Sequence, residues 1–233
     1  MYAGGGSGCP FVVVYEKIKV DASIGPVGAI IDGVDLSGKL SKQEVVEIHQ
    51  AWLEHHVVFF RNQDLSPKQQ ADFAACFGEL DIYPFMQAVG DHPNVIPIIK
   101  EPAAELNFGG AWHTDTSYQE RPPKATVLYA MQVPDEGGDT LFADNTAAFE
   151  SLSIGMRDSL QTLTGIYSPK MVHGIDGGYN QVAAKKGLGQ AYGGNAEFAE
   201  SEVEHPLIRT HAETGRKSIF CSQPHTHRIK GWT

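Results

Sequence analysis

The pattern of the chain changes near residue 81, and this change constrains its fold more than any other feature. Before it, Ser41 and Ser66 each precede an amphipathic stretch that is typical of a capped helix. After it, short apolar runs alternate with turn signals. These runs predict strands over residues 94–100, 125–133 and 140–143. Helices early and strands later predict an α+β chain built around an antiparallel sheet or roll.

The two helical stretches carry start and stop signals. In the first, residues 41–56, the opening serine is followed three positions later by Glu44, as in a capping box. In the second, Ser66 precedes Pro67, a residue that suits the first turn of a helix, and Gly78 is a stop signal. Both helices are therefore predicted with defined ends.

Other stretches carry weaker signals for local structure. The tight turn Pro-Asp-Glu-Gly-Gly-Asp separates two of the strand candidates. The other predictions are a strand and turn over 25–36, a buried strand over 57–60, a helix over about 146–164, a long surface loop over 168–204, and two extended runs joined by a Thr-Gly turn over 205–223.

Length and charge limit the classes of protein to which the chain can belong. At 233 residues it has room for one domain with a sizeable core, and we expect a flexible glycine-rich lead over 1–15 and a single domain over 16–233. A formal charge of -10 argues against nucleic acid as a partner. No run of about 18 apolar residues occurs, so no membrane span is expected.

The cysteines and the first residues bear on the compartment. Cys9, Cys76 and Cys221 are odd in number and far apart, which favours free thiols over a disulfide framework. The N-terminal stretch lacks the basic and long apolar regions of a secretory signal. A reducing, cytoplasmic location is therefore the expectation.

The stretch Trp-His-Thr-Asp-Thr-Ser-Tyr, residues 112–118, carries the strongest chemical signal. It places His113 and Asp115 two positions apart, and on an extended strand such residues point to the same face. An imidazole with a carboxylate suits a borderline divalent metal, and the facial triad of non-heme iron oxygenases adds one more histidine. By itself the pair leaves a solvated polar turn as an open alternative.

Four longer blocks resemble the taurine dioxygenase-like Fe(II)/2-oxoglutarate-dependent dioxygenases. The resemblance spans roughly residues 16–232, and the order and spacing of the blocks make it specific. The blocks are GPVGAIIDGVDLSGKLS, HHVVFFRNQDLSPKQQADFAACFGEL, WHTDTSYQERPPKATVLYAMQVPDEGGDTLFADNTAAFESLS and HPLIRTHAETGRKSIF.

This resemblance implies a fold, a site and a reaction. The fold would be a double-stranded β-helix (jelly roll) flanked by helices, with its last strands missing. His113 and Asp115 would be iron ligands, and Thr140 would bind a carboxylate of 2-oxoglutarate. With Fe(II), 2-oxoglutarate and O₂, such an enzyme hydroxylates a small organic acid or a sulfonate- or sulfate-like substrate and releases succinate and CO₂. The alternative is a non-catalytic relative of the same fold that acts as a binding protein.

By the resemblance, the third iron ligand and the arginine that binds oxoglutarate lie beyond residue 233. Resident histidines offer substitutes. His205 and His211 lie in a block that the family uses structurally, whereas His225 and His227 form an i, i+2 pair that could chelate a metal or lie in a surface turn. Arg209 and Arg216 are poor substitutes for the arginine, since a solvated or paired role is the default.

Substrate contacts are implied by alignment with the same family. Tyr83 takes the position of a sulfonate-binding histidine, which weakens a taurine assignment because tyrosine carries no positive charge. Asn107 and Phe108 are candidate pocket residues, and a turn Asn and a core Phe are the alternatives. Met86 is a further candidate, and His173 lies in a loop that would face the substrate or the surface. Family members are often dimers or tetramers, so a homo-oligomer is compatible with the resemblance.

Overall fold

The computed structural model describes residues 14–100, 109–178, 181 and 195–232. The chain divides into two compact units, Met1–Asp64 and Leu65–Thr233. Helices and short strands occur in both units, so the prediction of a mixed α+β chain is confirmed. No described helix is long and apolar enough to cross a membrane.

The first unit packs one helix on a three-stranded sheet. Strands β1 (Lys19–Asp21) and β2 (Ala29–Asp32) are antiparallel, and β3 (Val58–Phe60) lies parallel to β2. Helix α1 (Lys42–His55) connects β2 to β3, as a parallel pair requires. The predicted strands over 25–36 and 57–60 are confirmed in β2 and β3, although β3 is half-buried rather than buried.

Helix α1 begins where its capping signal predicts. The Ser41 hydroxyl accepts a hydrogen bond from the backbone N–H of Glu44, and the Glu44 carboxylate accepts one from the backbone N–H of Ser41. The helix buries Ile48 and Ala51 against the sheet and also buries the carboxylate of Glu47. That carboxylate has a structural role, since it accepts backbone N–H groups from the segment that leads into β1.

The second unit begins with helix α2 (Pro67–Ala75), which has the predicted serine cap and proline start but ends three residues before Gly78. Helices α3 (Asn145–Ser151) and α4 (Ile154–Gln161) replace the single helix that was predicted over 146–164. The break has a local cause, because Ser153 is extended and caps α4 by accepting a hydrogen bond from the N–H of Met156.

Two small antiparallel sheets complete the second unit in its described part. Strand β4 (Thr164–Tyr167) lies between β5 (Val203–Pro206) and β8 (Thr226–Ile229). Strands β6 (Ile208–Thr210) and β7 (Lys217–Ile219) form the hairpin predicted near the end of the chain, and Gly215 adopts a positive φ in its turn.

The predictions of strands over 94–100, 125–133 and 140–143 are wrong for this structure. These segments are irregular, and no strand pairs with them among the described residues. Leu128, Met131 and Leu141 are exposed there. An alternating apolar pattern indicates that one face of a segment favours burial. It does not supply the partner strand that a sheet requires.

The prediction of a surface loop over 168–204 is also wrong in part. Helices α5 (Lys170–His173) and α6 (Ala196–Ala199) lie within this range, and His173 is 4% exposed. His173 is buried because its ring stacks on that of Phe85, with the two centroids 3.9 Å apart.

Candidate metal centre

His113 and Asp115 meet at the surface of the second unit. The Nε2 atom of His113 lies 2.9 Å from Oδ1 of Asp115, and both side chains keep access to solvent. The segment is not the predicted strand: residues 115–118 form a turn, and Thr116 adopts a φ of 45°. A turn therefore produces the proximity that the i, i+2 spacing was expected to produce through a strand.

Hydrogen bonds determine which nitrogen of His113 faces Asp115. The Nδ1 atom lies 2.7 Å from the carbonyl oxygen of Ala111, which can only accept, so Nδ1 carries a proton. Nε2 is then the nitrogen that could bind a metal. The hydrogen bond that His113 donates to the Asp115 carboxylate raises the pKa of His113, and the one that it donates to the Ala111 carbonyl acts in the same direction, against the opposing effect of burial. The His113 contact in turn lowers the pKa of Asp115.

A second residue holds the carboxylate of Asp115. The Thr126 hydroxyl donates a 2.6 Å hydrogen bond to Oδ2, the oxygen that does not contact His113. Each carboxylate oxygen therefore has its own partner, which fixes the plane of the carboxylate. The sequence pattern predicts Thr126 in a strand and gives no sign of this role, because nothing local links positions 115 and 126.

The backbone between the two candidate ligands is held from the C-terminal side of the unit. The N–H of Thr114 donates to Ser222 Oγ (3.2 Å), and the Thr114 carbonyl oxygen lies 3.3 Å from His225 Nδ1. Ser222 and His225 are both buried, and the ring centroids of His225 and His113 are 6.4 Å apart. Burial lowers the pKa of His225 to about 4, so its imidazole is neutral near pH 7.

The histidines considered as substitute ligands have structural partners. The pair His225 and His227 does not act together, because His227 lies on β8 with Nδ1 3.3 Å from Glu202, whereas His225 is buried in a turn. The surface-turn alternative for His225 is thus wrong. His205 bonds to the carbonyl of Gln119, and His211 accepts two backbone N–H groups in the β6–β7 turn.

The two arginines considered as substitutes are also engaged elsewhere. Arg209 lies over the ring of Phe220, with its guanidinium carbon 4.4 Å from the ring centroid. Arg216 forms an ion pair with Glu150 at 3.3 Å. Neither contact involves His113 or Asp115, so a paired role for both arginines is what the structure shows.

An aromatic cluster borders His225. Tyr118 lies 4.7 Å from His225 between ring centroids, and Phe85 packs against both Tyr118 and His173. The Tyr83 hydroxyl is hydrogen-bonded to Nε2 of His173 at 3.1 Å. The candidate substrate residue Tyr83 is therefore engaged with a buried histidine.

For three other predicted site residues the structure does not test the predicted role. Thr140 is exposed in an irregular segment that follows Gly137 and Gly138, both of which adopt positive φ. Asn107 and Phe108 lie outside the described residues. The roles of Thr140, Asn107 and Phe108 stay predictions.

The described residues bring two candidate metal donors, His113 and Asp115, together. No group of three or more His, Cys, Asp or Glu side chains that could hold a metal occurs within 14–100, 109–178 and 195–232. An imidazole nitrogen, such as Nε2 of His113, and a carboxylate oxygen, such as one of Asp115, are the types of donor that non-heme iron sites use. An open cavity of about 480 Å³ lies elsewhere, lined by residues such as Asp81, Gln119 and Phe198, and it includes neither donor.

Comparison with known proteins identifies the family. The chain is 30% identical to an alkylsulfatase from Acinetobacter baylyi, over 88% of the chain and 63% of that protein. It is 30% identical to an alpha-ketoglutarate-dependent sulfonate dioxygenase from Saccharomyces cerevisiae, over 91% of the chain and 51% of that protein. A crystal structure of a taurine dioxygenase from Burkholderia xenovorans aligns with a TM-score of 0.73 and 32% identity, over 94% of this chain and 68% of that one.

The chain spans between half and two thirds of the length of these two sequence relatives. A further relative, the (S)-phenoxypropionate/alpha-ketoglutarate-dioxygenase of Sphingobium herbicidovorans, is 31% identical over 93% of the chain and 73% of that protein. A family model described as "Taurine catabolism dioxygenase TauD, TfdA family" matches residues 19–233. The chain belongs to the TauD/TfdA family of dioxygenases.

Proposed function

We propose that this protein acts as an Fe(II)/2-oxoglutarate-dependent dioxygenase that hydroxylates a sulfonate- or sulfate-like substrate, or another small organic acid, with release of succinate and CO₂. The observation that carries the proposal is the 2.9 Å approach of His113 Nε2 to Asp115 Oδ1, in the stretch that by the resemblance would supply two iron ligands and that lies within the region matched by the family model. An Fe(II) ion with bound 2-oxoglutarate would supply the activation of O₂ and the oxidative decarboxylation.

The contribution of the chain itself is to present and orient two ligands. The Ala111 carbonyl holds Nδ1 of His113 and directs Nε2 toward Asp115. Thr126 holds the Oδ2 atom of Asp115, so that the orientation of the carboxylate is fixed and Oδ1 faces the place where a metal would bind. Such outer hydrogen bonds set ligand orientation and basicity in metal sites. The third ligand, the arginine and the role of Thr140 toward 2-oxoglutarate are predictions that the described residues do not test.

The substrate class is proposed from the names of the relatives and from Tyr83, which by the resemblance replaces a sulfonate-binding histidine. The relatives are named for sulfonates, sulfate esters and phenoxypropionate, which share a small organic skeleton with an anionic end. In this chain Tyr83 offers no positive charge and its hydroxyl is shared with His173. A substrate anion would therefore need a cation from another part of the protein, and a taurine-like substrate is not favoured over a sulfate ester or an aryloxy acid.

We extend the proposal to the fold, the location and the oligomeric state of the protein. The small antiparallel sheets of the second unit would be part of a double-stranded β-helix, as in the family to which the chain belongs. A single domain over 16–233, a cytoplasmic location and assembly into a homo-oligomer belong to the same proposal.

A second function, as a ligand-binding protein without turnover, has one observation in its favour. Within the described ranges only two metal donors come together, and two protein ligands hold a divalent ion less firmly than three. Binding of 2-oxoglutarate without formation of succinate would support this second function.

The assay for the enzymatic proposal is succinate formation. The protein is incubated with Fe(II), 2-oxoglutarate, O₂ and, in turn, an alkyl sulfate, an alkylsulfonate and an aryloxyalkanoate. We expect one class to raise succinate formation. His113→Ala and Asp115→Ala should each lower the rate at least about 100-fold, since each removes one ligand from the reacting centre. His227→Ala, an exposed histidine on β8, is the matched control and should keep the rate. Equal rates in the Asp115→Ala variant would refute the proposal.

A further inference from the structure

Both backbone polar groups of Thr114, the residue between the two candidate ligands, bond to one short segment of the chain. Its N–H donates to Ser222 Oγ at 3.2 Å, and its carbonyl oxygen lies 3.3 Å from Nδ1 of His225. A carbonyl oxygen only accepts, so Nδ1 of His225 carries the proton. The Ser117 and Ser222 hydroxyls lie 3.2 and 3.3 Å from the same nitrogen and can accept as well.

The segment that makes these contacts is itself firmly held. Ser222 is 1% exposed and His225 is 7% exposed. The carbonyl of Ser222 accepts the backbone N–H groups of His225 and Thr226, and the Ser222 N–H donates to the Thr226 hydroxyl. The carbonyl of His225 accepts the N–H of Ser168 at the end of β4. A closed turn that is bonded to a strand provides a rigid support for a site.

The geometry of the peptide links this support to the candidate ligands. A peptide unit is planar, so a bond to the N–H of Thr114 orients the unit that begins at His113, and a bond to its carbonyl orients the unit that ends at Asp115. We propose that Ser222 and His225 are positioning residues that hold these two peptide units, so that His113 Nε2 and Asp115 Oδ1 can bind one metal ion. This inference rests on the proposed function for its chemistry, and on the hydrogen bonds alone for its geometry.

His225 acts in this arrangement through Nδ1, which distinguishes it from a metal ligand or a substrate contact. A ligand or substrate contact would use Nε2, the nitrogen that stays unprotonated when Nδ1 donates. Within the described ranges His225 does not complete a group of three metal donors with His113 and Asp115. The two nitrogens can be separated by substitution, because an Asn side chain places an N–H group near the position of Nδ1 and a Gln side chain places one near Nε2.

The experiment compares four substitutions in the metal-free and Mn(II)-loaded protein: Ser222→Ala, His225→Phe, His225→Asn and His225→Gln. Amide hydrogen exchange of Thr114 is measured by NMR without metal, and Mn(II) affinity is measured by electron paramagnetic resonance. We expect Ser222→Ala to speed exchange at Thr114 at least about tenfold, because the N–H loses its acceptor. We expect His225→Phe to weaken Mn(II) binding about tenfold, and His225→Asn to restore it. Ser201→Ala removes a hydroxyl that bonds to the Phe198 carbonyl and is the matched control.

The outcomes separate failure of this inference from failure of the proposed function. If Gln rescues Mn(II) binding and Asn does not, His225 acts through Nε2 and the positioning role is overturned. Unchanged exchange at Thr114 in the Ser222→Ala variant also overturns it. If His113→Ala binds Mn(II) as tightly as the parent protein, the proposed metal site fails, and the exchange data then decide on the geometric role of Ser222 alone.

Discussion

Thr126 and Asp115 are joined by a 2.6 Å hydrogen bond that leaves the other carboxylate oxygen facing His113. We expect Thr126→Val to weaken Mn(II) binding about tenfold, since the carboxylate loses the partner that fixes its plane. Thr126→Ser keeps the hydroxyl and should bind Mn(II) as the parent protein does. The measurement is a calorimetric titration with Mn(II). Equal weakening in the Ser and Val variants would show that packing, not the hydrogen bond, holds Asp115.

The protonation of His113 predicts a pH dependence for metal binding. The hydrogen bond that His113 donates to the Asp115 carboxylate raises the pKa of His113 above its ordinary value of 6.5, and a metal must displace the proton on Nε2. Metal affinity should therefore rise with pH until the raised pKa is passed. The contribution of this contact to stability has the opposite sign: it is present below pH 6.5 and is lost as pH rises through the raised pKa.

Two titrations test these opposite pH dependences of metal affinity and of stability. Mn(II) affinity at pH 6, 7 and 8 should increase across the series, by at most about tenfold per pH unit, because one proton competes with the metal. The metal-free protein should lose the His113 contribution to stability over the same range. An Mn(II) affinity that is independent of pH would mean that His113 does not exchange a proton for the metal.

The hydroxyl of Tyr83 is predicted to support His173. Tyr83→Phe removes the 3.1 Å hydrogen bond to Nε2 of a buried histidine, which should lower the free energy of unfolding by about 1 kcal/mol. Urea denaturation monitored by fluorescence measures the change. Tyr118→Phe is the comparison within the same aromatic cluster, because the hydrogen bond to His173 Nε2 is made by the hydroxyl of Tyr83. A Tyr83→Phe variant as stable as the parent protein would contradict the supporting role.

Glu47 is predicted to be the most sensitive carboxylate of the first unit. Burial raises the pKa of Glu47, but hydrogen bonds from Gln43 and from the backbone N–H groups of residues 16–18 outweigh it, and the net pKa is lowered. Glu47→Gln places an amide N–H against those donors and should cost about 1–3 kcal/mol. Since the folded pKa is depressed, the stabilisation is complete above pH 4.5 and is lost as pH falls through the folded pKa.

Acid denaturation curves of the two proteins measure this effect. The difference in stability between the parent protein and Glu47→Gln should be full at neutral pH and should shrink in acid. Glu54→Gln is the control on the same helix, because that carboxylate is exposed and bonds to the Tyr15 hydroxyl. If the two substitutions cost the same at neutral pH, burial of Glu47 does not give it a special role.

Local sequence signals predicted the parts of the fold that short-range interactions determine. Ser41 and Glu44 form the capping box that their spacing indicates, and α1 follows directly. The sequence pattern does not predict the break between α3 and α4, because Ser153 fits a helical position in the pattern but acts as a cap in the structure. The prediction of a strand over 125–133 is wrong because an alternating pattern carries no information on a partner strand.

In the candidate site, too, contacts between sequence neighbours could be predicted and contacts between distant residues could not. His113 and Asp115 could be predicted as neighbours because they are two residues apart, although a turn rather than a strand brings them together. The contact between His225 and Thr114 spans 111 residues, and no local pattern distinguishes this buried histidine from the exposed His227. Residues that support a site from distant parts of the chain are visible only in the folded structure.

We propose that His113 and Asp115 bind the iron of a 2-oxoglutarate-dependent dioxygenase. The most direct measurement is an anaerobic titration with Fe(II) and 2-oxoglutarate, in which a chelated 2-oxo acid gives a weak visible charge-transfer band. We predict that the protein develops this band and that His113→Ala and Asp115→Ala abolish it, while His227→Ala keeps it. A band of equal strength in the His113→Ala variant, or none in the folded parent protein, would contradict the account.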